Sequence, residues 1–421
     1  MKTINTAPLS GMQELLPEKQ EIFEGLKNKI EQIYKHHGFW KIETPTIERR
    51  EILLAKAGGE TEKQIYFVSK RDSEEAADEA LRFDHTVPLA RYVVEHSNDL
   101  TFPFKVTQVG RNFRGERAQK GRFREFYQCD VDILGRDTLP ISYDAEVIAV
   151  LARALEVFGL PDLVVRINNR KILAGFLQSL DLTAKTSLVS GIIDKSEKVT
   201  EEETKSSLAE LDIPVEKIAK ILAFIQIKGG SSELFSQMSA LGVKNDLFDE
   251  GLSEIITVLN ILEKQNLPVK ARGDMMIVRG LDYYTGTVFE VFVDGDRSLG
   301  SLCGGGRYED LTMNFSAQKF VGVGGSIGLT RLFSVLDRKG LVKPLENRNP
   351  HLAVIPLSDN EIEFAAKVAD EKRAAGFVVD LVLMDKKLSD KLKYAARVAE
   401  QAIVIGEAEA KTGKYELRDL N

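Results

Sequence analysis

A short arginine-rich stretch is the part of the sequence best suited to bind phosphate groups. Residues 111–124 carry six Lys or Arg side chains and one acid, Glu116, in a chain whose formal net charge is −7. The planar guanidinium group of arginine binds phosphate oxygens in a bidentate manner. On composition alone a solvated basic loop without a ligand explains this stretch equally well, so the positions that follow it must decide between the two.

Those positions favour a pocket for a small molecule. Gln128, Asp130 and Asp132 recur at every second residue, so in a β-strand their side chains share one face. Phe126, just before them, could stack on a nucleotide base. Polar groups aligned on one face beside a phosphate-binding loop indicate a small-molecule site next to a nucleotide.

The flanking patterns predict that the basic stretch is the loop of a β-hairpin. Residues 104–110 are typical of a strand, and residues 125–134 alternate in the manner of a second strand. Gly115 and Gly121 mark the turn between them, because glycine tolerates backbone conformations that other residues resist. The hairpin is therefore the element that must position the chemistry.

The hairpin resembles motif 2 of the class II aminoacyl-tRNA synthetases, in the form found in the histidyl-tRNA synthetase family. The resemblance rests on the runs FRGE at residues 113–116 and GRFR at residues 121–124, followed by Gln128. Residues 38–45 resemble motif 1, which builds the dimer interface in that class. Residues 321–332, VGVGGSIGLTRL, resemble motif 3, with Thr330 standing where many family members carry glutamate.

Two further runs resemble the histidine-specific motifs of the same family. The run RGLDYYTGTVFE at residues 279–290 is the most specific signal in the chain, since so many polar groups in few residues are costly in a core. The run SLCGGGRY at residues 301–308 matches the second motif. Residues 81–92 resemble the turn that holds the amino acid, with Asp84 facing its α-ammonium group. From the residues alone Asp84 is more simply a helix cap, and His85 a structural residue.

The resemblance implies a role for each site residue. Arg114 and Arg279 are the candidate catalytic residues, both facing the α-phosphate of ATP. The residues implied to bind histidine are Asp84, Thr86, Arg114, Gln128, Asp132, Arg279, Tyr283, Tyr284 and Tyr308. Those implied to bind ATP are Arg114, Glu116, Arg122, Phe126 and Arg331, with Mg²⁺ sharing the phosphate charge through ligands that are not identified. Asp132 is glutamate in many relatives, so the shorter acid should reach the pocket through water or a small shift.

The fold expected is α/β overall, with an α+β catalytic domain on an antiparallel sheet of the class II type. This domain would span residues 1–335 and be interrupted by a helical insertion at residues 171–267, a range with few strand patterns and with helical patterns at residues 215–225 and 252–262. Two local patterns within the catalytic domain predict a helix at residues 47–54 and a strand at residues 275–278.

Residues 336–350 form a polar linker in this interpretation. Residues 351–421 alternate strands with helices, which predicts a small, largely parallel α/β domain, and in the family this domain binds the anticodon. Family members usually continue for another strand and helix, so the resemblance leaves open whether this domain is truncated.

Composition is that of an ordinary globular protein. Of 421 residues, 43% are hydrophobic and 29% are charged. The sequence has neither an apolar signal segment nor a run of about 20 apolar residues, so we expect a cytoplasmic protein without membrane association. Its two cysteines, Cys129 and Cys303, form neither a disulfide framework nor a zinc pattern.

The function implied is that of a histidine–tRNA ligase. Such an enzyme activates L-histidine with ATP to histidyl-adenylate and transfers the histidyl group to the 3′ end of tRNA(His), as a homodimer that binds no DNA. Three alternatives remain: a non-catalytic regulatory subunit of ATP phosphoribosyltransferase, a synthetase-like RNA sensor, and a class II synthetase for another amino acid. The C-terminal domain and the intact histidine motifs count against the first.

Overall fold

The computed structural model describes residues 4–55, 62–69, 78–117, 119, 121–278, 283–296, 298–343 and 351–420. The chain divides into a first unit, residues 1–343, and a second unit, residues 344–421. Across the described ranges, no helix combines the length and the apolar character needed to cross a membrane.

The first unit combines a large sheet with helices. Its helices are α1 (Pro17–His36), α2 (Arg50–Leu54), α3 (Thr86–Glu95), α4 (Ser142–Leu155), α5 (Arg170–Ser179), α6 (Thr186–Ser196), α7 (Glu201–Ala209), α8 (Val215–Ile225), α9 (Ser231–Ala240), α10 (Asp246–Glu263) and α11 (Leu329–Arg338). Its strands are β1 (Trp40–Lys41), β2 (Ile47–Arg49), β3 (Phe67–Val68), β4 (Glu79–Leu81), β5 (Phe104–Phe113), β6 (Glu125–Arg136), β7 (Leu163–Asn169), β8 (Lys228–Gly229), β9 (Val269–Asp274), β10 (Thr287–Val293), β11 (Cys303–Tyr308) and β12 (Phe320–Ile327).

The large sheet has the strand order β1-β5-β6-β12-β11-β10-β7-β9-β8 within the described part of the chain. Its central pairs, from β5 to β7, are antiparallel, and only β1–β5 and β7–β9 are parallel. A smaller antiparallel sheet has the order β2-β4-β3. A mixed α/β chain built on a large, mainly antiparallel sheet was predicted, and this fold class is confirmed.

The two faces of β6 belong to different hydrophobic clusters. Cys129, Val131 and Ile133 lie in the main hydrophobic core with residues of α1 and α4. Leu134 lies in a second cluster, on the opposite face, with Leu89 of α3. Because side chains alternate along a strand, the polar residues between the core positions of β6 point toward that second face, where the candidate site is found.

The helices α5 to α10 lie between β7 and β9 and contain the two helical patterns seen in the sequence. Residues 215–225 are α8, and residues 252–262 lie within α10. The longest of these helices, α10, is capped by Asn245, whose side-chain oxygen accepts a hydrogen bond from the Phe248 N–H at 2.9 Å. Such an N-terminal cap satisfies one of the amide groups that a helix leaves unpaired.

Two local predictions of secondary structure are wrong. Residues 275–278 do not form a strand, because the strand β9 ends at Asp274, where its side chain accepts a hydrogen bond from the Met276 N–H at 3.1 Å and closes a turn. Met275 and Ile277 lie in this turn region, and their side chains are buried. Residues 47–49 form β2 rather than the start of a helix, since they pair with β4.

The second unit contains the strands and helices of a small α/β domain. They are β13 (His351–Pro356), α12 (Ile362–Ala374), β14 (Val378–Leu381), α13 (Leu388–Val398), β15 (Gln401–Ile405), α14 (Glu407–Thr412) and β16 (Arg418–Asp419). The strand β13 runs parallel to both β14 and β15, and β16 adds an antiparallel edge. Ser358 begins the helical segment with a capping box, in which its N–H donates to Glu361 at 2.8 Å.

Candidate active site

The hairpin predicted from the basic stretch is present. The strands β5 and β6 pair in antiparallel register from Phe104–Leu134 to Phe113–Glu125. At the tip, Gly121 has a φ of +77°, a left-handed conformation that favours glycine. The sequence did not predict that the N-terminal segment joins this hairpin, where the Gly11 carbonyl accepts a hydrogen bond from the Arg124 N–H at 2.7 Å.

A pocket lies on the polar face of β6. Its lining combines residues of the hairpin, the start of α3, the segment before β10, β11 and β12. These residues are Asp84, Thr86, Arg114, Gln128, Asp130, Asp132, Tyr283, Tyr284, Tyr308, Gly324, Gly325 and Ser326. The structure therefore brings together all the residues predicted to bind histidine except Arg279, which lies outside the described residues.

Asp132 and Tyr308 form the most enclosed part of the pocket. The Tyr308 hydroxyl donates to Asp132 Oδ1 at 2.8 Å, and both side chains are buried. Burial raises the pKa of the Asp132 carboxyl to about 8, and the charge of Asp130 acts in the same direction, while the Tyr308 hydrogen bond opposes the rise. Gly324 lies opposite Asp132 in the sheet, and a Cβ atom there would stand 1.9 Å from Asp132 Oδ1. Glycine is thus required for the acid to occupy this position.

Arg114 projects from the end of β5 between two aromatic rings. Its guanidinium carbon lies 4.3 Å from the ring centre of Phe83 and 5.0 Å from that of Phe126. Desolvation lowers the pKa of Arg114, and the neighbouring charges of Asp84 and Glu116 oppose that shift. Arginine nevertheless stays charged in proteins, so Arg114 presents a positioned cation at the mouth of the pocket.

Asp84 caps a helix and also lines the pocket. Its Oδ1 accepts a hydrogen bond from the Val87 N–H at 3.1 Å, in the first turn of α3. The same carboxyl lines the pocket. Burial raises its pKa, while the Val87 N–H and the charge of Arg114 oppose that rise. Capping the helix and facing a ligand are compatible, because a carboxylate has two oxygens.

The residues predicted to bind ATP lie around the hairpin tip. Arg122 pairs with Glu116 at 3.1 Å, and both side chains are at least partly exposed. Arg331 donates to the carbonyl oxygens of Ser301 and Leu299, the latter at 3.1 Å. A Cβ atom on Gly121 would lie 3.9 Å from Arg331 Nε, so the hairpin tip and the start of α11 are neighbours.

Thr330, which stands where many family members carry glutamate, links the helix α11 to the strand β6. Its hydroxyl oxygen accepts a hydrogen bond from the Tyr127 N–H at 2.8 Å, which ties the first turn of α11 to the strand β6. The departure from the family pattern therefore leaves Arg331 held next to the hairpin.

Comparisons with known proteins point to one family. The model of the histidyl-tRNA synthetase family matches residues 11–332, and that of an anticodon binding domain matches residues 351–421. The histidine–tRNA ligase of Clostridium tetani is 44% identical over 417 residues, which are 98% of this chain and 93% of that protein. The corresponding ligase of Clostridium acetobutylicum is 39% identical over 420 residues, 99% of this chain and 96% of that protein.

The chain belongs to the histidyl-tRNA synthetase family. Among solved structures, the histidyl-tRNA synthetase from Nostoc sp. PCC 7120 is 36% identical, with a TM-score of 0.86 over 99% of this chain and 95% of that one. A Bacillus halodurans protein described as an ATP phosphoribosyltransferase regulatory subunit/histidyl-tRNA synthetase is 22% identical with a TM-score of 0.77, a likeness of fold alone. The predicted family and class II assignment are confirmed, and the regulatory-subunit alternative is not better supported.

Sequence reasoning about this synthetase assigned no binding role to four residues of the pocket: Asp130, Gly324, Gly325 and Ser326. The period-two pattern had already placed Asp130 on the same face as Gln128 and Asp132, so the sequence did indicate its position in the pocket. The other three belong to the glycine-rich run that resembles motif 3. They reach the pocket because β12 pairs with β6, with Ser326 opposite Asp130, and this pairing has no local signature.

The raised pKa of Asp132 predicts a pH-dependent gain in stability for the variant Asp132→Asn. The folded synthetase holds a proton on this carboxyl up to about pH 8, whereas the unfolded chain releases it near pH 4. The stabilisation from that proton is complete below about pH 4 and is lost progressively as the pH rises toward 8. We expect the free energy of unfolding of the variant, relative to that of the wild type, to rise by up to about 5 kcal/mol between about pH 4 and pH 8, since each pKa unit corresponds to about 1.4 kcal/mol.

Calorimetry over a pH series measures this effect. The difference in Tm between the variant and the wild type should grow from about pH 5 to pH 8 and then level off. Asp296→Asn is the matched control, because hydrogen bonds from Ser298 lower the pKa of Asp296. Replacing this aspartate should therefore reduce the stability of the protein rather than increase it. A Tm difference for Asp132→Asn that does not change with pH would contradict the proton on Asp132.

Proposed function

We propose that this chain is a histidine–tRNA ligase that acts in two steps. In the first, the carboxylate of L-histidine attacks the α-phosphate of ATP, forming histidyl-adenylate and releasing pyrophosphate. In the second, the 3′-terminal hydroxyl of tRNA(His) attacks the adenylate carbonyl, forming histidyl-tRNA and releasing AMP. The observation that carries the proposal is the single pocket, in which the family's histidine motifs and the motif 2 hairpin converge.

Arg114 is the group proposed to make the first step possible. Attack of a carboxylate on a phosphate brings like charges together, so the reaction needs positioning and charge neutralisation more than covalent help. The rings of Phe83 and Phe126 both contact the Arg114 guanidinium, which limits its reorganisation during the reaction. Arg279 is proposed as the second cation at the α-phosphate, on sequence grounds alone.

The nucleotide is proposed to lie along the hairpin toward α11. Arg122 and Arg331 would bind the β- and γ-phosphates, with Phe126 and Glu116 near the adenine. Among the described residues, no group of three or more His, Cys, Asp or Glu side chains could hold a metal ion. Mg²⁺ is proposed to enter as MgATP, since that ion is commonly held by substrate phosphates with few protein carboxylates.

Recognition of the imidazole is assigned to the enclosed end of the pocket. Asp132, Tyr308, Tyr284 and Gln128 present buried or half-buried polar groups there. An amino acid whose side chain lacks the imidazole nitrogens would leave these groups unpaired, and such a loss discriminates strongly between substrates. Asp84 and Thr86 are proposed to bind the α-ammonium group.

The remaining assignments concern partners and organisation. Residues 1–335 are proposed as the catalytic domain, interrupted by the helical insertion at residues 171–267, which would contact the acceptor arm of tRNA. Residues 336–350 would be a linker, and residues 351–421 would bind the anticodon. The active form is proposed to be a homodimer in the cytoplasm, as is typical of the family.

Pyrophosphate exchange with each of the twenty amino acids tests the first step. We expect exchange of label into ATP with histidine alone, because only histidine satisfies the polar groups of the pocket. Charging of tRNA(His) by the same preparation then tests the second step. Absence of exchange with every amino acid, from folded protein with MgATP present, would overturn the ligase assignment and favour the regulatory subunit, which a pull-down with a phosphoribosyltransferase would test.

A further inference from the structure

Asp130 occupies the centre of the polar face of β6, between Gln128 and Asp132. Its side chain is 4% exposed and lines the pocket. The two carboxylate oxygens have different surroundings. Oδ2 lies 2.8 Å from His85 Nδ1, whereas Oδ1 is buried and has no hydrogen-bond partner among the described residues.

A buried carboxylate oxygen without a donor is costly in a folded protein. Burying an unsatisfied polar group costs more than a typical hydrogen bond gains, and the cost is greater for a charged group. Most buried polar atoms in native structures therefore have a partner, and the exceptions call for an explanation. At the wall of a ligand pocket, the direct explanation is a donor that arrives with the ligand.

His85 is built into the protein behind Asp130. It is 1% exposed, and its backbone carbonyl accepts a hydrogen bond from the Gln108 side chain at 3.2 Å. Gly110 makes room for the imidazole, because a Cβ atom there would stand 3.3 Å from His85 Nε2 and 2.7 Å from a guanidinium nitrogen of Arg82. An imidazole nitrogen 2.8 Å from a carboxylate oxygen is placed to donate its proton, so His85 fixes the orientation of the Asp130 carboxylate.

The His85 side chain is not among those that line the pocket, so it acts on a ligand through its neighbours. Its Nδ1 lies 2.8 Å from Asp130 Oδ2 and 3.4 Å from Asn112 Nδ2. Asn112 donates to Gln128 at 2.9 Å, and Gln128 donates to Ser326 at 2.7 Å. The shorter contact makes Asp130 the main partner of the imidazole.

We infer that Asp130 binds the amino acid substrate through Oδ1, and that His85 is the positioning residue that aims this oxygen. The inference deepens the proposed function and rests on it. The chemistry required of the ligand is an N–H donor, which histidine offers at its α-ammonium group and at its imidazole ring. The carboxylate of Asp130 also balances the positive charge of an amino acid's ammonium group beside Arg114.

Steady-state pyrophosphate exchange with the full-length protein tests this assignment. For Asp130→Asn we expect the KM for histidine to rise about tenfold or more, because an amide replaces a charged acceptor, while the KM for ATP changes less than about twofold. His85→Leu should raise the histidine KM by a smaller factor. His85→Asn, whose amide nitrogen can occupy the place of Nδ1 and donate to Asp130, should restore most of the wild-type value.

Val131→Ala is the matched control, since Val131 is adjacent on the same strand but packs in the core on the opposite face. It should lower the Tm without moving the histidine KM. Competition by imidazolepropionate, which lacks the α-ammonium group, identifies the donor. If Asp130→Asn weakens inhibition by this compound, Oδ1 binds the imidazole, and if inhibition is unchanged while the histidine KM rises, Oδ1 binds the ammonium group.

An unchanged histidine KM in Asp130→Asn would overturn the assignment while leaving the ligase function intact. Equal changes in the KM values for histidine and ATP would also overturn it, since they would indicate a general distortion of the site. Loss of activity in His85→Asn to the level of His85→Leu would remove His85 from its positioning role. Wild-type protein without histidine-dependent exchange would instead refute the ligase function, and this inference with it.

Discussion

Arg114→Ala is expected to lower the rate of histidine-dependent pyrophosphate exchange by about 10²–10³-fold, the loss typical of removing one preorganised electrostatic group. The side chain is a cation held between Phe83 and Phe126 at the junction of the amino-acid pocket and the hairpin. The effect should fall mainly on kcat, because the charge to be neutralised is greatest in the transition state. The KM for histidine should also rise, since the charge of Arg114 opposes the raised pKa of Asp84.

Arg111→Ala is the matched control for this substitution. Arg111 lies on the same strand, but its side chain is 57% exposed and pairs with Glu125 at 3.2 Å. Removing an exposed pair of this kind costs little, so the exchange rate should change by less than about threefold. Equal losses in the two variants would show that the basic stretch acts through its overall charge, and would exclude the specific role of Arg114.

Arg307→Met is expected to destabilise the first unit by about 3–5 kcal/mol, the cost typical of breaking a buried ion pair. Arg307 donates to both oxygens of Asp144, with Nη2 at 2.7 Å from Oδ1 and Nε at 3.1 Å from Oδ2. The side chain of Arg307 is 5% exposed and that of Asp144 is fully buried. Burial raises the pKa of Asp144 and the Arg307 charge opposes that rise, so removal of the arginine leaves an uncompensated buried acid.

Scanning calorimetry of the full chain measures this loss as a fall in the Tm of the first unit, by roughly 5–10 °C. The double variant with Asp144→Leu should recover at least half of the fall, because a well-packed apolar pair is often as stable as a buried ion pair. Lys319→Ala is the control, since it breaks a partly exposed pair with Glu309 and should cost less than about 1 kcal/mol. A double variant no more stable than Arg307→Met would contradict the unpaired acid as the cause.

The ion pair between Arg307 and Asp144 also supports the pocket, because Arg307 lies on the strand β11. Arg307 directly precedes Tyr308, and its carbonyl accepts a hydrogen bond from the Thr285 N–H at 2.8 Å. This bond anchors the segment that follows Tyr283 and Tyr284. A stable link between α4 and β11 therefore supports the wall of the pocket that is proposed to recognise the imidazole.

The sequence by itself determined the parts of this protein that depend on near neighbours in the chain. Alternation along residues 125–134, with glycines between two strand patterns, predicted the hairpin and the shared face of Gln128, Asp130 and Asp132. The same local reasoning predicted a helical segment over residues 171–267 and alternating strands and helices over residues 351–421. The motif runs predicted the family, which the comparisons confirm, because each motif is a short stretch with its own spacing.

Only the tertiary structure decided which distant residues complete the site. The pairing of β12 with β6 places Gly324 against Asp132 and Ser326 against Asp130, across nearly two hundred residues of sequence, and no local pattern encodes that register. Asp84 could be assigned to a cap or to the pocket from sequence, and the fold shows that it does both. The contact between His85 and Asp130 could not be predicted from the sequence, because it also joins residues that are distant in the chain. Periodicity reports which face a side chain occupies, whereas the packing of whole elements decides what that face meets.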